Sequence, residues 1–308
     1  MGGGGNGEFQ FYTNNRSNSY VRNGTLFLKP TLTADKFGEK QVSGEIPTIV
    51  DLWGGSPADL CTSNAYHGCV RGSGGGSVLN PIASARLRTV NSFSFKYGRL
   101  EIQAKLPKGD WLWPAVWMLP EHQAYGAWPA SGEIDLVESR GNHISYPAGG
   151  NNCFRSIIHF GPYWPDDPFV LAEKCLEMSL NDDFHTYGLY WSKDYIYTYL
   201  DNDANRVLDM PINQSFWQRG GWDKNPSLRN PWTGQSNVAP FDQKFYIVLN
   251  LAVGGINYFP ANVGGRPWAE GSLNAMADFH RALDTSVKSW DLEGDESALQ
   301  VRSVKVWQ

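Results

Sequence analysis

Apolar and polar residues alternate along several stretches of the chain, most clearly between residues 98 and 107. There Leu100, Ile102, Ala104 and Leu106 fall on one side of an extended backbone, and polar side chains fall on the other. This two-residue period predicts a strand with one buried face. Similar patterns predict strands at residues 24–28, 83–89, 195–200 and 301–307. The nearly unbroken apolar run at Phe245–Val253 predicts a strand covered on both faces.

Turn-forming residues separate nearly all of these stretches. The chain has 33 glycines and 18 prolines, and its helical patterns are short, at residues 215–218 and 275–283. We therefore expect an all-β fold with antiparallel pairing, built from two packed sheets. No linker, repeat or charge block divides the sequence, so residues 1–308 are expected to form a single domain. Long loops are expected at residues 121–131, 162–181 and 220–240.

Three carboxylates, Glu133, Asp135 and Glu138, lie close together in a segment that otherwise has the apolar character of a strand. Acidic residues are poor strand formers, so their presence needs an explanation. Glu133 and Asp135 share a face by simple alternation, whereas Glu138 has the opposite parity. A β-bulge near Leu136–Val137 returns Glu138 to the same face, and bulges are common beside active sites.

With this bulge, Glu133 and Glu138 stand about 13 Å apart between Cα atoms, at a rise of about 3.3 Å per residue. If both side chains lean over Asp135, their carboxyl groups can approach the roughly 5–5.5 Å separation that retaining glycosidases use. Repulsion among three close carboxylates raises at least one pKa and supplies an acid near neutral pH. The pattern therefore indicates a retaining glycosidase.

A solvated strand face or a calcium site would also account for clustered carboxylates. Neither alternative explains the tryptophans that flank the cluster, which are Trp113, Trp117 and Trp128. Aromatic residues reach 14% of the chain, with 13 tryptophans, a proportion that suits the binding of sugar rings. Core packing is the alternative role for many of these rings. The tryptophans that flank the carboxylates favour a cleft that binds sugar.

The charge and hydropathy of the chain exclude several partners. A net charge of −5 at pH 7 argues against a nucleic-acid partner, because such proteins need a basic surface. No stretch approaches the roughly 20 apolar residues that a membrane helix needs. The first residues, MGGGGNGEF, lack the pattern of an export signal. We expect neither nucleic acid nor membrane as a partner.

The four cysteines predict two local disulfides, Cys61–Cys69 and Cys153–Cys175, because the members of each pair lie close in sequence and bracket a loop-like segment. Four free buried thiols in an intracellular protein are the alternative, and no metal-ligand spacing offers the cysteines another use. Glycosylation sequons begin at Asn15, Asn23 and Asn213. Together these features predict a secreted, extracellular protein whose signal peptide is absent from this sequence.

Three segments resemble glycoside hydrolase family sixteen, and within it the laminarinase-like endo-β-1,3-glucanases of animals. They are GEIDLVES, the preceding SFSFKYGRLEIQAKLPKGDWLWPAVWMLP and the later FDQKFYIVLNLAVGG. The motifs occur in the family's order, and the similarity spans most of the chain. The resemblance implies a β-jelly-roll sandwich of two antiparallel sheets, with a concave substrate cleft, and retaining endo-hydrolysis of β-1,3-glucan of the laminarin type.

Carried over by position, the resemblance implies that Glu133 is the nucleophile, that Asp135 orients and tunes it, and that Glu138 is the general acid/base. Family aromatics that line the cleft match Trp128, Trp113 and Trp117. Polar positions that can bond sugar hydroxyls match Arg86, Glu101, His159 and Asn250. For Trp117, Glu101 and His159, a purely structural role is an equal alternative.

The sequence departs from the family pattern in two places. Family members usually begin with a further strand before the glycine-rich segment, whereas this sequence starts on those glycines at Met1, so we expect the first strand to be missing. Asn6 matches a position that approaches the sugars in many members. Bacterial relatives often bind calcium through an acidic residue of the last strand, where this chain has Arg302. We expect no metal, no cofactor and a monomeric protein.

Two other functions remain compatible with this family. A glucan-recognition protein of the same fold binds β-1,3-glucan without cutting it, but such relatives typically lack one or both catalytic glutamates, and here both are present. A transglycosylase passes the glycosyl-enzyme to another sugar instead of water, and retaining chemistry permits both outcomes. A measurement of the reducing ends released from laminarin distinguishes hydrolysis, transglycosylation and binding.

Overall fold

The structure, a computed structural model, describes residues 5–53, 61 and 68–308. The strands within these ranges are β1 (Gln10–Tyr12), β2 (Ser19–Arg22), β3 (Thr25–Leu28), β4 (Thr31–Leu32), β5 (Thr48–Asp51), β6 (Val70–Ser73), β7 (Ile82–Ser84), β8 (Arg86–Arg88), β9 (Ser94–Phe95), β10 (Gly98–Lys105), β11 (Leu112–Pro120), β12 (Glu133–Ser139), β13 (Cys153–His159), β14 (Val170–Cys175), β15 (His185–Trp191), β16 (Tyr195–Leu200), β17 (Arg206–Pro211), β18 (Phe245–Val253) and β19 (Leu299–Trp307). The helices are α1 (Ala34–Phe37), α2 (Glu39–Ser43), α3 (Phe216–Arg219), α4 (Ala275–Arg281) and α5 (Leu283–Ser286), and a 3₁₀ turn lies at Trp222–Lys224. All of these helices are too short to cross a bilayer.

Two large antiparallel sheets pack face to face as a β-jelly-roll sandwich, which confirms the predicted fold class. The sheet that contains β12 has the strand order β14-β13-β12-β11-β18-β8, with β9 also paired to β18, and is called the carboxylate sheet. The outer sheet has the order β17-β16-β15-β10-β19-β3-β2. A smaller sheet contains the parallel pair β1–β7, which the expectation of purely antiparallel pairing missed.

The core lies between the two large sheets and is built by the alternation seen in the sequence. On β10 the side chains of Leu100, Ile102 and Ala104 are fully buried, while those of Arg99 and Glu101 on the same strand are partly exposed. Burial of a leucine or isoleucine side chain contributes about 1.5–3 kcal/mol each. All nine residues of β18 are buried, as its continuous apolar run predicted.

Several predicted elements need correction. The predicted strand at residues 83–89 is divided at Ala85 into β7 and β8. The predicted loop at residues 162–181 contains the edge strand β14, whose exposed and half-buried residues alternate too weakly in hydrophobicity to be recognised from sequence. The predicted helix at residues 275–283 is divided into α4 and α5. Helices α1 and α2 were not predicted.

Both predicted disulfides are confirmed. Cys61 is bonded to Cys69, and Cys153 is bonded to Cys175. Cys153 and Cys175 are direct partners in the pairing of β13 with β14, so this disulfide joins two neighbouring strands of the carboxylate sheet. The bond therefore fixes the register of an edge strand beside β12 and β13.

Candidate active site

A β-bulge places the three carboxylates of β12 on one face. Asp135 pairs with Ile157 of β13, and Glu138 pairs with Arg155, so Leu136 and Val137 together stand opposite one residue. Leu136 and Val137 are buried in the core. The predicted bulge is thereby confirmed, and the carboxylates lie on the opposite face, which is called the cleft face.

The environment of the carboxylates raises all three pKa values. Burial raises the pKa of Glu138 to about 7, and repulsion from Glu133 adds to this effect. Burial also raises the pKa of Glu133. Asp135 has a pKa well above its ordinary value because it is buried, is repelled by both glutamates and shares a hydrogen bond with Glu133. Glu138 therefore titrates close to neutral pH, and burial disfavours the simultaneous ionisation of all three carboxyl groups.

Each glutamate accepts a hydrogen bond from a different tryptophan. Trp128 Nε1 donates to Glu133 Oε2 at 3.0 Å, and Trp113 Nε1 donates to Glu138 Oε1 at 3.1 Å. Each bond favours the ionised carboxylate and lowers its pKa, against the effect of burial. Trp113 is only 7% exposed and stacks on Tyr258 with 3.7 Å between ring centroids. Its ring face is already covered, so it acts on Glu138 through its N–H.

His159 lies between two aspartates at the end of β13. Its Nε2 is 3.5 Å from Asp135 Oδ2, and its Nδ1 is 2.6 Å from Asp167 Oδ2. Burial opposes a charge on the imidazole, but the hydrogen bond to Asp167 and the negative charge of Glu133 raise its pKa. His159 in turn lowers the pKa values of Glu133 and Glu138. It is therefore part of the electrostatic environment of the trio, and Asp167 holds it there.

Arg86, Asn250 and Trp117 form a second polar group on the cleft face. Trp117 Nε1 donates to Asn250 Oδ1 at 2.7 Å, and the Arg86 guanidinium lies 4.5 Å from the centroid of a Trp117 ring. Asn250 pairs with Arg86 on one side and with Ala115 on the other. Among the described residues, Arg86 Nε has no hydrogen-bond partner. This group is placed to bond a ligand's hydroxyls beside the carboxylates.

The prediction that Glu101 contacts sugar is wrong. Glu101 lies on β10 of the outer sheet, and it is bound there by Arg99 Nε at 3.0 Å and by the Tyr199 hydroxyl at 2.7 Å. The strand's alternation correctly placed Glu101 on a solvated face, but that face belongs to the sheet opposite the site. Glu101 therefore has the purely structural role that was the alternative to sugar contact.

Asn6 lies at the margin of the site. Its carbonyl accepts from Ile256 N at 2.9 Å, and its N–H donates to Glu8 Oε2 at 2.9 Å. Gly255 lies between Asn6 and Trp113. A Cβ added to this glycine would be 3.4 Å from Asn6 O and 3.5 Å from the Trp113 ring. The structure thus holds the Asn6 backbone near Trp113, and sugar contact by its side chain stays a prediction.

Several residues at the site escaped the sequence reasoning. Asp167 and Trp164 lie in a loop-like segment without periodicity. Arg155 and Glu173 form an ion pair at 2.6 Å on the strands next to Glu138. Only the alternation of β13, once its register with Glu138 is known, indicates that Arg155 faces the cleft. Glu8 is a half-buried carboxylate whose pKa is raised by desolvation.

Glu133, Asp135 and His159 also have the composition of a metal site. One ligand atom from each lies within 4.8 Å of the others. Nδ1 of His159 is hydrogen-bonded to Asp167, which leaves Nε2 as the ring nitrogen that faces Asp135. The expected absence of a metal stays a prediction.

Comparisons with known proteins show the family and the fold that this chain resembles. The model of Glycosyl hydrolases family 16 matches residues 78–227. A beta-1,3-glucan-binding protein of Penaeus monodon is 46% identical over 319 residues, which cover 100% of this chain and 84% of that protein. A glucan endo-1,3-beta-glucosidase of Cryptopygus antarcticus is 37% identical over 198 residues, which cover 63% of this chain and 62% of that protein. The X-ray structure of the laminarinase from Rhodothermus marinus has a TM-score of 0.56 at 24% identity, covers 99% of this chain and 86% of that one, and supports the fold.

Proposed function

This chain belongs to glycosyl hydrolase family 16, and from that premise we propose that it is an endo-acting, retaining β-1,3-glucanase of the laminarinase type. The observation that carries the proposal is the bulge of β12, which brings Glu133, Asp135 and Glu138 onto one cleft face. Burial raises the pKa of both glutamates, that of Glu138 to about 7, and each accepts a hydrogen bond from an indole N–H. Glu138 is suited by this pKa to donate a proton, and Glu133 takes the role of nucleophile by its position in the family motif.

In the proposed reaction, Glu133 attacks the anomeric carbon while Glu138 protonates the glycosidic oxygen, so the C–O bond to the leaving sugar breaks and a glycosyl ester forms on Glu133. Glu138 then removes a proton from water, which attacks the same carbon and releases Glu133. Two inversions give net retention. Asp135, whose pKa is raised by burial and by both glutamates, shares a hydrogen bond with Glu133 and thereby orients the nucleophile.

Binding of β-1,3-glucan without cleavage is the second candidate function, and the name of the 46% identical Penaeus monodon protein favours it. The presence of both glutamates in an acid/base-competent environment favours hydrolysis. Transglycosylation is a variant of the same retaining chemistry. Reducing-end release from laminarin, with products sized by chromatography, decides among them: binding releases no ends, hydrolysis gives short oligomers, and transfer gives chains longer than the donor.

We extend the proposal to the protein as a whole. Residues 1–308 act as one catalytic domain, and the protein is secreted and monomeric. The two disulfides support an extracellular location, because such bonds persist in oxidising compartments. Peptide mapping of the unreduced protein from a eukaryotic secretory host should recover both linked pairs. Four alkylatable thiols in that material would contradict the extracellular assignment.

A further inference from the structure

Trp164 is a large aromatic side chain that is 69% exposed beside the candidate active site. Its ring centroid lies 5.6 Å from that of Trp128, and Trp128 donates a hydrogen bond to Glu133. Tryptophan is highly buried on average, so a ring left this open next to a reaction centre is available for a ligand. No step of the proposed reaction uses it.

The turn that carries Trp164 is anchored at its base. Asp166 N donates to Tyr163 O at 2.8 Å and closes the turn, and Trp222 Nε1 donates to Asp166 Oδ2 at 2.7 Å. The next residue, Asp167, is bound to His159. The exposed ring is therefore held by contacts to both the active site and the 3₁₀ turn at Trp222–Lys224. A platform that is already ordered loses little entropy when a ligand binds.

A cavity of about 750 Å³ begins at the residue next to Trp164. Tyr125, Tyr163, Arg229 and Asn230 are among the residues that line it. This volume lies within the range of roughly 300–1,000 Å³ that is typical of small-molecule sites. Aromatic rings with one guanidinium and one amide suit a neutral ligand that is rich in hydroxyl groups, because a polyanion would need several cations.

We propose that Trp164 and this cavity form an accessory glycan subsite, which binds glucosyl units of a long β-glucan beyond those held at the carboxylates. The inference rests on the proposed function and adds to it a preference for longer chains. Glu133 accepts a hydrogen bond from Trp128, and the ring of Trp128 lies near that of Trp164. Tyr163, the neighbour of Trp164 in sequence, lines the cavity.

The test compares wild type with Trp164→Ala on a series of β-1,3-gluco-oligosaccharides from the trimer to the heptamer. Loss of one stacking platform should lower kcat/KM by about tenfold on the longest members and by less than about twofold on the shortest member that is cleaved. Trp164→Phe should recover most of the loss. Arg229→Ala, on the cavity wall, should show the same length dependence without altering the turn.

Trp307→Ala is the matched control, because Trp307 is 47% exposed on the outer sheet, far from the cleft face. An equal loss on every chain length, or no loss at all in Trp164→Ala, would overturn the subsite. If wild type binds but cleaves nothing, the proposed hydrolysis fails, and the same length dependence is then read from Kd by calorimetry. If it neither binds nor cleaves any member, both proposals fail.

Discussion

Asp167 Oδ2 lies 2.6 Å from Nδ1 of His159, and the other ring nitrogen faces Asp135 at 3.5 Å. The second oxygen of Asp167 accepts from Phe160 N at 3.2 Å, so the carboxylate is itself fixed. Asp167 thus orients a cationic ring toward the carboxylate trio without contacting the trio in a hydrogen bond. This arrangement makes Asp167 a positioning residue for the proposed reaction.

Asp167→Asn should lower the pKa of His159 by about one unit, because an opposite charge at this distance stabilises the imidazolium. The charge of Asp167 also raises the pKa of Glu133, and His159 stays protonated on the acidic limb, so removal of that charge should move the acidic limb of the kcat/KM profile to lower pH. The measurements are NMR titration of His159 and the pH–rate profile.

Since the pKa of His159 is raised in the folded state, the wild type should exceed Asp167→Asn in free energy of unfolding most at low pH. This difference should fall as the pH rises through the folded pKa of His159.

The outer sheet offers a matched control for this variant. His185 Nδ1 lies 2.9 Å from Asp201 Oδ2, which is the same kind of pair away from the cleft face. Asp201→Asn should leave the pH–rate profile unchanged. If both variants shift the profile equally, or if Asp167→Asn loses stability while its profile stays at the wild-type position, Asp167 is only a structural residue.

The sequence predicted the features that depend on local periodicity. The opposite parity of Glu138 was enough to predict the bulge at Leu136–Val137, because a buried carboxylate in the core would be too costly. Glu101 was carried over to the cleft from the family resemblance, and parity did not correct this assignment, because parity gives the face of a strand but not the sheet to which the strand belongs. Asp167 and Trp164 were missed because their positions depend on contacts between distant loops.

The pKa of Glu138, about 7, predicts the alkaline limb of the proposed hydrolysis. The acid must be protonated to act, so kcat/KM should fall as pH rises through this value. Arg155 lowers the pKa of Glu138, and Arg155→Gln should therefore move the alkaline limb upward by about half a unit to one unit. The pH–rate profile on laminarin measures this shift.

Glu173→Gln provides the opposite change at the same ion pair. Removal of the carboxylate that neutralises Arg155 should strengthen the effect of Arg155 on Glu138 and move the alkaline limb downward. Arg99→Gln on the outer sheet serves as the unrelated charge control. Shifts of the same sign in Arg155→Gln and Glu173→Gln would mean that the strands moved, and the electrostatic account would be wrong.

Two conservative tryptophan variants should alter opposite limbs of the profile. Trp128→Phe keeps a ring but removes the N–H that lowers the pKa of Glu133, so the acidic limb should move to higher pH. Trp113→Phe removes the N–H that lowers the pKa of Glu138, so the alkaline limb should move to higher pH. Each missing hydrogen bond to a charged group should reduce kcat/KM by about tenfold or more.

Trp128→Ala tests whether this side chain serves the ligand or the core. Trp128 is partly exposed, so its removal should lower kcat/KM far more than it lowers the melting temperature. The two quantities are measured on the same preparation. A variant that melts several degrees earlier but keeps its full kcat/KM would show that Trp128 is a packing residue, and the assignment of this ring to the cleft would be abandoned.

Substitution of each glutamate by glutamine should impair catalysis in a different way. Glu133→Gln removes the nucleophile, so activity should fall by several orders of magnitude on every substrate, whatever its leaving group. Glu138→Gln removes the proton donor, so an activated aryl glycoside, whose leaving group needs no proton, should still form the glycosyl-enzyme. Steady-state rates on laminarin and on the aryl glycoside measure this contrast.

Azide then separates the roles by stereochemistry, because it attacks the glycosyl-enzyme without a general base. In Glu138→Gln it should restore turnover and give the β-configured glycosyl azide, since attack on an α-linked ester of Glu133 inverts the carbon a second time. Rescue of Glu133→Gln with an α-azide would exchange the two roles. Release of an α-anomer as the first product of the wild type would show inversion. The water that inversion needs would then require a wider carboxyl separation than the retaining geometry inferred from the bulged strand.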